Sequence, residues 1–387
     1  MIKTLVAQTT EVDDLKTAVE EILSQLGPAD EFLKNTIGIV ACHYEFVHSG
    51  VLKTVSEALP FDLIGTISSG QAVADGHGPL LFTMTVFTSN DVEFVKVLTP
   101  SLLEEPGRVI AESYKAAAIR AEKPALLLSF APFMIQNSGD EYVNVLSEAS
   151  GGVPCFGTIA VDDTLDFANC FMLADGEQHR DRMALILVYG NIQPKFYIAN
   201  ISQSRVLEKS ALVTKSAGHI LMEVNGQPVA NYFEDLGLTK ASETQYAMSN
   251  LPFLLDYNDG TPKVSKIFVT LTPEKYAICA GAMPEGSTLH IASSDKDDVL
   301  LTTGKAIDLM LKDIKDNTGG LLIYSCISRG MTFGADQFKE IEIVRQKIGA
   351  SVPFMMAFSG GEICPTQVSD DKAINRFHNN AFIACLI

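Results

Sequence analysis

Leu321-Leu322-Ile323-Tyr324-Ser325-Cys326 is a mostly apolar run that ends in a thiol. A stretch of helical pattern follows from Asp336 to Ile348, then Gly349, then Pro353 and a second run, Phe354-Met355-Met356-Ala357-Phe358. Runs of this length suit strands covered on both faces. Phe338, Ile341, Val344 and Ile348 recur at helical spacing near one face. Gly349 stands where a left-handed helix C-cap is favoured. Pro353 precedes a strand, where its missing N–H does least harm. The segment reads as strand–helix–strand, with a right-handed crossover if the two strands are parallel neighbours.

Two earlier segments read alike. Thr36–Cys42 is followed by a helical stretch from Gly50 to Leu59, Pro60 and the run Leu63–Ile67. Ala125–Phe130 is followed by Asp140–Ser150, Pro154 and Cys155–Ile159. The first copy closes on Ser68-Ser69-Gly70-Gln71 and the third on Ser359-Gly360-Gly361-Glu362, whereas the middle one has Ala160-Val161-Asp162-Asp163. Unit lengths differ, as in a divergent duplication and not a solenoid of fixed period.

Between the second and third copies the texture changes. Residues 183–229 and 264–293 read as strands. Asn225-Gly226 after Ile220–Val224 predicts a type I′ hairpin, and Pro284-Glu285-Gly286 a turn. A helix is expected over Asp295–Asp316, with Val299, Thr303, Ile307, Met310 and Ile314 on one face and Ser294 with Asp297 as its capping pair. The expected fold class is α/β (mixed α+β): repeated strand–helix–strand units on mixed sheets, in two modules. The division is expected near 225–245, giving modules 1–228 and 229–387.

Composition narrows the function. The chain has 387 residues and a net charge of −18, which opposes nucleic acid as a partner because phosphates must be neutralised by Lys and Arg. No signal-like stretch opens the sequence. The longest apolar runs, Met183–Tyr189 and Pro353–Phe358, are too short to span a bilayer as helices. Seven irregularly spaced cysteines sit mostly in apolar runs, as small buried hydrophobes do, so a reducing, cytoplasmic setting is expected.

Several familiar sites are missing. From Gly281 to Thr288 the glycines of a phosphate loop are present, but Ser287 stands where its lysine belongs. No Gly-x-Ser-x-Gly elbow, dinucleotide fingerprint or Cys-x-x-Cys pair occurs. Four clusters remain. His43-Tyr44-Glu45 with His48 is a weak metal pattern, and a polar strand end explains it as well. Cys326-Ile327-Ser328-Arg329-Gly330 follows a buried strand, where open parallel sheets take ligands. The Arg329 fork matches a carboxylate or phosphate. Gly360-Gly361-Glu362 offers close backbone approach and an acceptor for a ligand amine, or a partner for Arg329. Arg376-Phe377-His378-Asn379-Asn380 holds a histidine that is a ligand, a haem partner or a base, or more simply a satisfied structural residue. Cys326 and His378 make a nucleophile–base pair only if they meet in space.

Taken together, these residues resemble the FIST family of bacterial signal-transduction sensors. The N-terminal part resembles the FIST N-terminal module through Pro60–Gly65 with Ser69-Gly70, Pro154-Cys155-Phe156-Gly157 with Asp162-Asp163, Leu212-Val213-Thr214 and Glu223-Val224-Asn225-Gly226-Gln227-Pro228. The C-terminal part resembles the FIST C-terminal module through Ser325-Cys326-x-x-Arg329-Gly330, Glu340, Pro353, Gly361-Glu362-Ile363-Cys364-Pro365 and His378-Asn379. Order and coverage carry the resemblance. Gln71, Thr158 and Ala381 depart from the pattern.

The resemblance implies a stand-alone cytoplasmic sensor of a small ligand, such as an amino acid or similar metabolite, that signals through a separate partner protein. The expected ligand-binding residues are Cys326, Arg329, Gly360, Gly361, Glu362, His378 and Asn379. Arg329 and Glu362 are expected to clamp the two ends of a zwitterion. No catalytic residue or metal is expected. The alternatives are a haem-binding nitric-oxide sensor, with His378, His43 or Cys326 as axial ligand, and a hydrolase or transferase using Cys326.

Overall fold

The computed structural model describes residues 1–134, 137–164, 167–237, 252–315, 318–369 and 372–387. Its strands follow one pattern three times. The first unit runs β1 (Ile2–Thr9), β2 (Asn35–Cys42), β3 (Asp62–Ile67), a hairpin β4 (Gln71–Val73) and β5 (Gly76–Gly78), then β6 (Phe82–Ser89). The second runs β7 (Glu93–Leu98), β8 (Leu126–Ala131), β9 (Cys155–Ile159), a hairpin β10 (Met172–Ala174) and β11 (Glu177–His179), then β12 (Ala184–Tyr189). The third opens with β13 (Lys195–Ala199). It resumes, after an insertion, at β21 (Leu321–Cys326), β22 (Phe354–Ser359), the hairpin β23 (Gly361–Val368) and β24 (Ala373–His378), and β25 (Phe382–Leu386).

Each unit carries a helix between its first and second strands: Leu15–Leu26, Pro106–Ala117 and Lys296–Asp313. Another joins its second and third strands: Val51–Ala58, Gly139–Ser150 and Lys339–Ile348. The joined strands β2–β3, β8–β9 and β21–β22 are parallel neighbours, as the crossover reading requires. Gly65 and Gly157 hold equivalent places in two of these pairs. A Cβ there would lie 1.8 Å from the Val40 carbonyl oxygen or 1.9 Å from that of Ser129, so only glycine fits.

The hairpins are exchanged between units. The sheets run β1-β6-β2-β3-β10-β11, β7-β12-β8-β9-β23-β24 and β13-β25-β21-β22-β4-β5. Every unit therefore lends its hairpin to the sheet of another, and the exchange closes in a cycle of three. Backbone bonds where the donated segments depart also run from unit to unit: Val161 N–H to Ile67 C=O (3.2 Å), Gly360 N–H to Ile159 C=O (2.9 Å) and Phe358 N–H to Gly70 C=O (2.9 Å).

One face of each sheet meets the other two in a shared core of Ile39, Phe87, Leu128, Phe156, Tyr324 and Ile383 among others. The opposite face of each sheet packs on its own helices, for example Ile22 and Val55 in the first unit, Leu146 in the second and Val344 in the third. Both faces are covered, which explains the unbroken apolar runs. Each such side chain stabilises the fold by about 1.5–3 kcal/mol on full burial.

The insertion between β13 and the helix Lys296–Asp313 is a separate antiparallel sheet: β14 (Val206–Ala217), β15 (Ile220–Val224), β16 (Gln227–Pro228), β17 (Pro252–Asp256), β18 (Val264–Leu271), β19 (Ala277–Cys279) and β20 (Thr288–Ala292). Its order is β14-β20-β17-β18-β19-β15-β16, and β14 pairs also with β15. The long strand β14 thus closes the sheet into a small barrel around Leu221, Phe253, Phe268 and Leu289. Asn225 (φ 52°) and Gly226 (φ 75°) form the expected turn between β15 and β16. Position 228/229 falls inside this sheet's chain, between β16 and the helix Val229–Asp235, while 238–251 lies outside the described residues.

Two local expectations shift. The helix Lys296–Asp313 is capped by Asp295, whose carboxylate accepts from the Asp298 N–H (2.9 Å), one residue later than Ser294 with Asp297. Asp316 lies outside the described residues. The third crossover helix starts at Lys339, because Gly334–Asp336 forms a 3₁₀ turn first. Among the described residues no helix is long and apolar enough to cross a membrane. The fold is mixed α+β, as expected.

Candidate functional site

The third unit ends its parallel strands in a buried polar seam. β21 stops at Cys326 and turns into the short helix Ile327–Met331. β22 stops at Ser359, and β23 and β24 leave for the sheet of the second unit. The return segment Asn379–Ala381 passes back beside Cys326, whose N–H donates to the Ala381 carbonyl (2.9 Å). Asn380 takes a left-handed conformation there (φ 50°), which asparagine tolerates better than most residues.

Three elements thereby converge. The Ser328 hydroxyl lies 3.2 Å from Cys326 Sγ and 3.0 Å from Asn380 Oδ1. Glu362 Oε2 accepts from the Ala381 N–H (3.4 Å). Glu362 and His378 face each other across β23 and β24, so their side chains lie on one face. His378 Nε2 is 3.2 Å from the Cys364 carbonyl, which requires the proton on Nε2 and leaves Nδ1 as a lone-pair acceptor. Both residues are fully buried.

Burial sets the protonation. It raises the Glu362 carboxyl well above the usual range, against the Ser359, Ala381, Cys326 and Arg329 neighbours that favour the ionised form. It lowers His378 to about 3. It pushes the Cys326 thiol up to about 12, with Glu362 adding to the shift. Burial thus favours the thiol, the protonated carboxyl and the neutral imidazole in the seam.

Other sequence candidates have different partners. Arg329 is 1% exposed. Its Nε and Nη2 donate to Glu340 Oε1 (3.0 and 2.7 Å), and Nη2 also to Thr303 Oγ1 (2.7 Å). The expected clamp between Arg329 and Glu362 is therefore not formed, because the guanidinium ties the helices Lys339–Ile348 and Lys296–Asp313 to the end of β21. Gly360 and Gly361 do permit close approach, but to the chain itself. A Cβ would lie 2.7 Å from the Ala160 carbonyl oxygen at Gly360 and 2.3 Å from the Phe377 ring at Gly361.

His43 Nε2 lies 3.3 Å from Asp163, and its Nδ1 accepts from the Glu45 N–H. Glu45 opens a helix, Glu45–His48, and does not extend the strand. Among the described residues no group of three His, Cys, Asp or Glu is placed to hold a metal. A haem does not fit these residues either. The Cys326 thiol keeps its proton, His378 Nε2 faces a carbonyl, and His43 is held by Asp163. Nor is Cys326 set up as a nucleophile, since its thiol keeps its proton and its polar neighbours are Ser328 and Glu362.

A second buried polar knot links the seam to the barrel. Lys266 on β18 donates to both Asp140 oxygens (3.0 and 2.8 Å) and to the Phe377 carbonyl (2.8 Å), while the Ala282 N–H donates to Asp140 (2.7 Å). Burial lowers the Lys266 ammonium, against the raising effect of Asp140. The next peptide joins too, Asn379 N–H to Ser265 C=O (2.9 Å). Sequence reading missed Lys266. Its signal was a lysine alternating with Val264 and Phe268 on the inward face of a strand.

Residues 36–227 match the model of the FIST N domain and residues 228–365 that of the FIST C domain. No curated protein matches the chain. Among solved structures it is similar to a cyanuric acid hydrolase from A. caulinodans, at 9% identity and a TM-score of 0.38 over 100% of this chain and 99% of that one. It is also similar to PurLQS from Thermotoga maritima, at 10% identity and a TM-score of 0.21 over 100% and 72%. Likenesses of that size carry no functional argument. The two domain models span most of the sequence in the order of the motifs, and the chain belongs to the FIST family.

Proposed function

We propose that this protein senses a small polar metabolite of about amino-acid size, held at the seam formed by Cys326, Glu362, His378 and Asn380. FIST domains are sensor domains of signal transduction. The observation that carries the site is the pair of buried side-chain atoms without hydrogen-bond partners on one face of the hairpin β23–β24, Glu362 Oε1 and His378 Nδ1, with the unpartnered Asn380 Nδ2 beside Ser328; the unpartnered Asn379 amide lies on the opposite face, by Phe377. Interiors satisfy about nine in ten such groups, and each exception costs about 1–3 kcal/mol. A polar ligand would supply the missing partners. Arg329, Gly360 and Gly361 act as positioning residues, holding the strand ends that frame the seam.

The setting we propose is the cytoplasm, in keeping with seven buried free cysteines and the rarity of disulfides there. The signal passes to a separate protein. The net charge of −18 speaks against nucleic acid as that partner. The test is a melting-temperature screen against polar metabolites, because a ligand bound only by the native state raises Tm. A hit should shift the wild-type chain and leave Glu362→Met unmoved. Equal shifts in both would remove the seam as the site.

A further inference from the structure

The residue beside His378 is held from two sides, and one of them is the barrel. The edge of the Phe377 ring fills the space where side chains at Gly361 and Gly139 would stand. Gly361 precedes Glu362 on β23, and Gly139 precedes Asp140 at the start of the helix Gly139–Ser150. Lys266 of the barrel lies over the same ring, 5.0 Å from its centre. It donates to the Phe377 carbonyl (2.8 Å) and to Asp140.

The grip continues along β24. Arg376 pairs with Asp259 and stacks over the Tyr257 ring at 4.0 Å, both in the turn between β17 and β18. The Asn379 N–H donates to the Ser265 carbonyl (2.9 Å). Residues 376, 377 and 379 therefore hold the β17–β18 hairpin, while His378 turns its side chain to the face it shares with Glu362. The first two units run from their first strand to their first helix without such an insertion, so the architecture does not require these bonds. Nor does stability explain the ion pair, since a buried pair gains little over apolar packing. Close packing leaves no slack on either side of Phe377, so a displacement of Glu362 or His378 reaches Lys266 and Ser265 directly.

We propose that Phe377 and Lys266 form a joint through which the barrel responds to the state of the seam, and, on the reading that the seam is the ligand site, that the barrel is the part of the molecule that reports ligand. Amide hydrogen exchange on the full chain tests the joint without a ligand. Glu362→Met alters the seam and should change exchange at residues 265–268 of β18 by at least about threefold relative to β2 of the first unit, as coupling within one bonded network does. His378→Asn should do the same from the other strand. In a Lys266→Met, Asp140→Leu background, Glu362→Met should move β18 no more than β2. Phe377→Leu keeps the backbone bonds and removes the ring between the glycines. It should also weaken the β18 response, and it serves where the double variant does not fold.

A β18 response no larger than that of β2 in both seam variants would overturn the joint. So would a response that persists undiminished in the double variant or in Phe377→Leu. The joint and the ligand site fail separately. If β18 responds but no metabolite raises Tm, the joint stands and the ligand site falls. If a metabolite raises Tm in the wild type and not in Glu362→Met while β18 stays silent, the ligand site stands and the joint falls.

Discussion

The hairpins β23–β24 and β10–β11 hold the same place in two of the three sheets. Glu362 lies opposite Thr158 on β9, and Met172 opposite Thr66 on β3. The receiving strands match as well, Gly157-Thr158-Ile159 against Gly65-Thr66-Ile67. Both side chains are buried. One position holds a carboxyl with an unpartnered oxygen, the other a methionine that packs in the shared core. The wiring stands with an apolar residue at that point, so the fold does not require the polar one. A buried group that costs stability and is not needed for the architecture points to a ligand as its reason for being there.

The comparison can be broken most forcefully at Glu340. Glu340 and Glu362 are both fully buried carboxyls of the third unit, but Glu340 is paired with Arg329 and Ser325. Glu340→Ala leaves a buried guanidinium uncompensated and should lower unfolding stability by about 3–5 kcal/mol. Glu362→Met, which copies the second unit into the third, should raise stability by about 1–3 kcal/mol by removing an unsatisfied buried group, while ligand binding is lost. Urea denaturation measures both. If Glu362→Met were as damaging as Glu340→Ala, the carboxyl would be part of the scaffold and the comparison would fail.

A smaller effect sharpens the role of the knot at the barrel. Lys266→Met strands Asp140, while Lys266→Met with Asp140→Leu removes both charges. The double variant should recover much of what the single one loses, because a buried pair gains little over apolar packing. Additive losses would show instead that the Ala282 and Phe377 bonds carry the interface.

The repeat was legible because both faces of each sheet are covered, which leaves continuous apolar runs that composition alone exposes. The exchange of hairpins was not, since β4–β5, β10–β11 and β23–β24 pair with strands far away in sequence and short strands keep little pattern of their own. Nor was the insertion. β13 and β14 read as one strand-rich region, yet β13 pairs with β25 and β14 with β20. Around the candidate site, the motifs marked the strand ends but not the partners of their side chains. Arg329 and Glu362 lie just beyond the adjoining ends of β21 and β22, and only the helix Lys339–Ile348 decides that Arg329 faces Glu340. Ser328 and Asn380, which bridge the seam, sat inside quoted motifs without a spacing to mark them.

In the wild-type chain the weakest expected effect concerns pH, because the two unlike groups of the seam oppose each other. His378 titrates near 3 in the fold because of burial. An unfolded histidine takes up its proton below about 6.5, so from there down toward pH 3 this residue lowers stability by about 1.4 kcal/mol per pH unit. Glu362 is raised in the fold. Its unfolded form ionises above about 4.3, so its contribution is greatest below that pH and is lost as pH rises through the folded value, at the same slope. Above the unfolded carboxyl value and below the unfolded imidazole value the two contributions run in opposite directions. Glu362→Met should expose the histidine slope, with stability relative to wild type falling as the solution is acidified. His378→Asn should expose the reverse slope. Urea midpoints across that window decide it, and variant curves parallel to wild type would mean that neither group is held in the state its burial imposes.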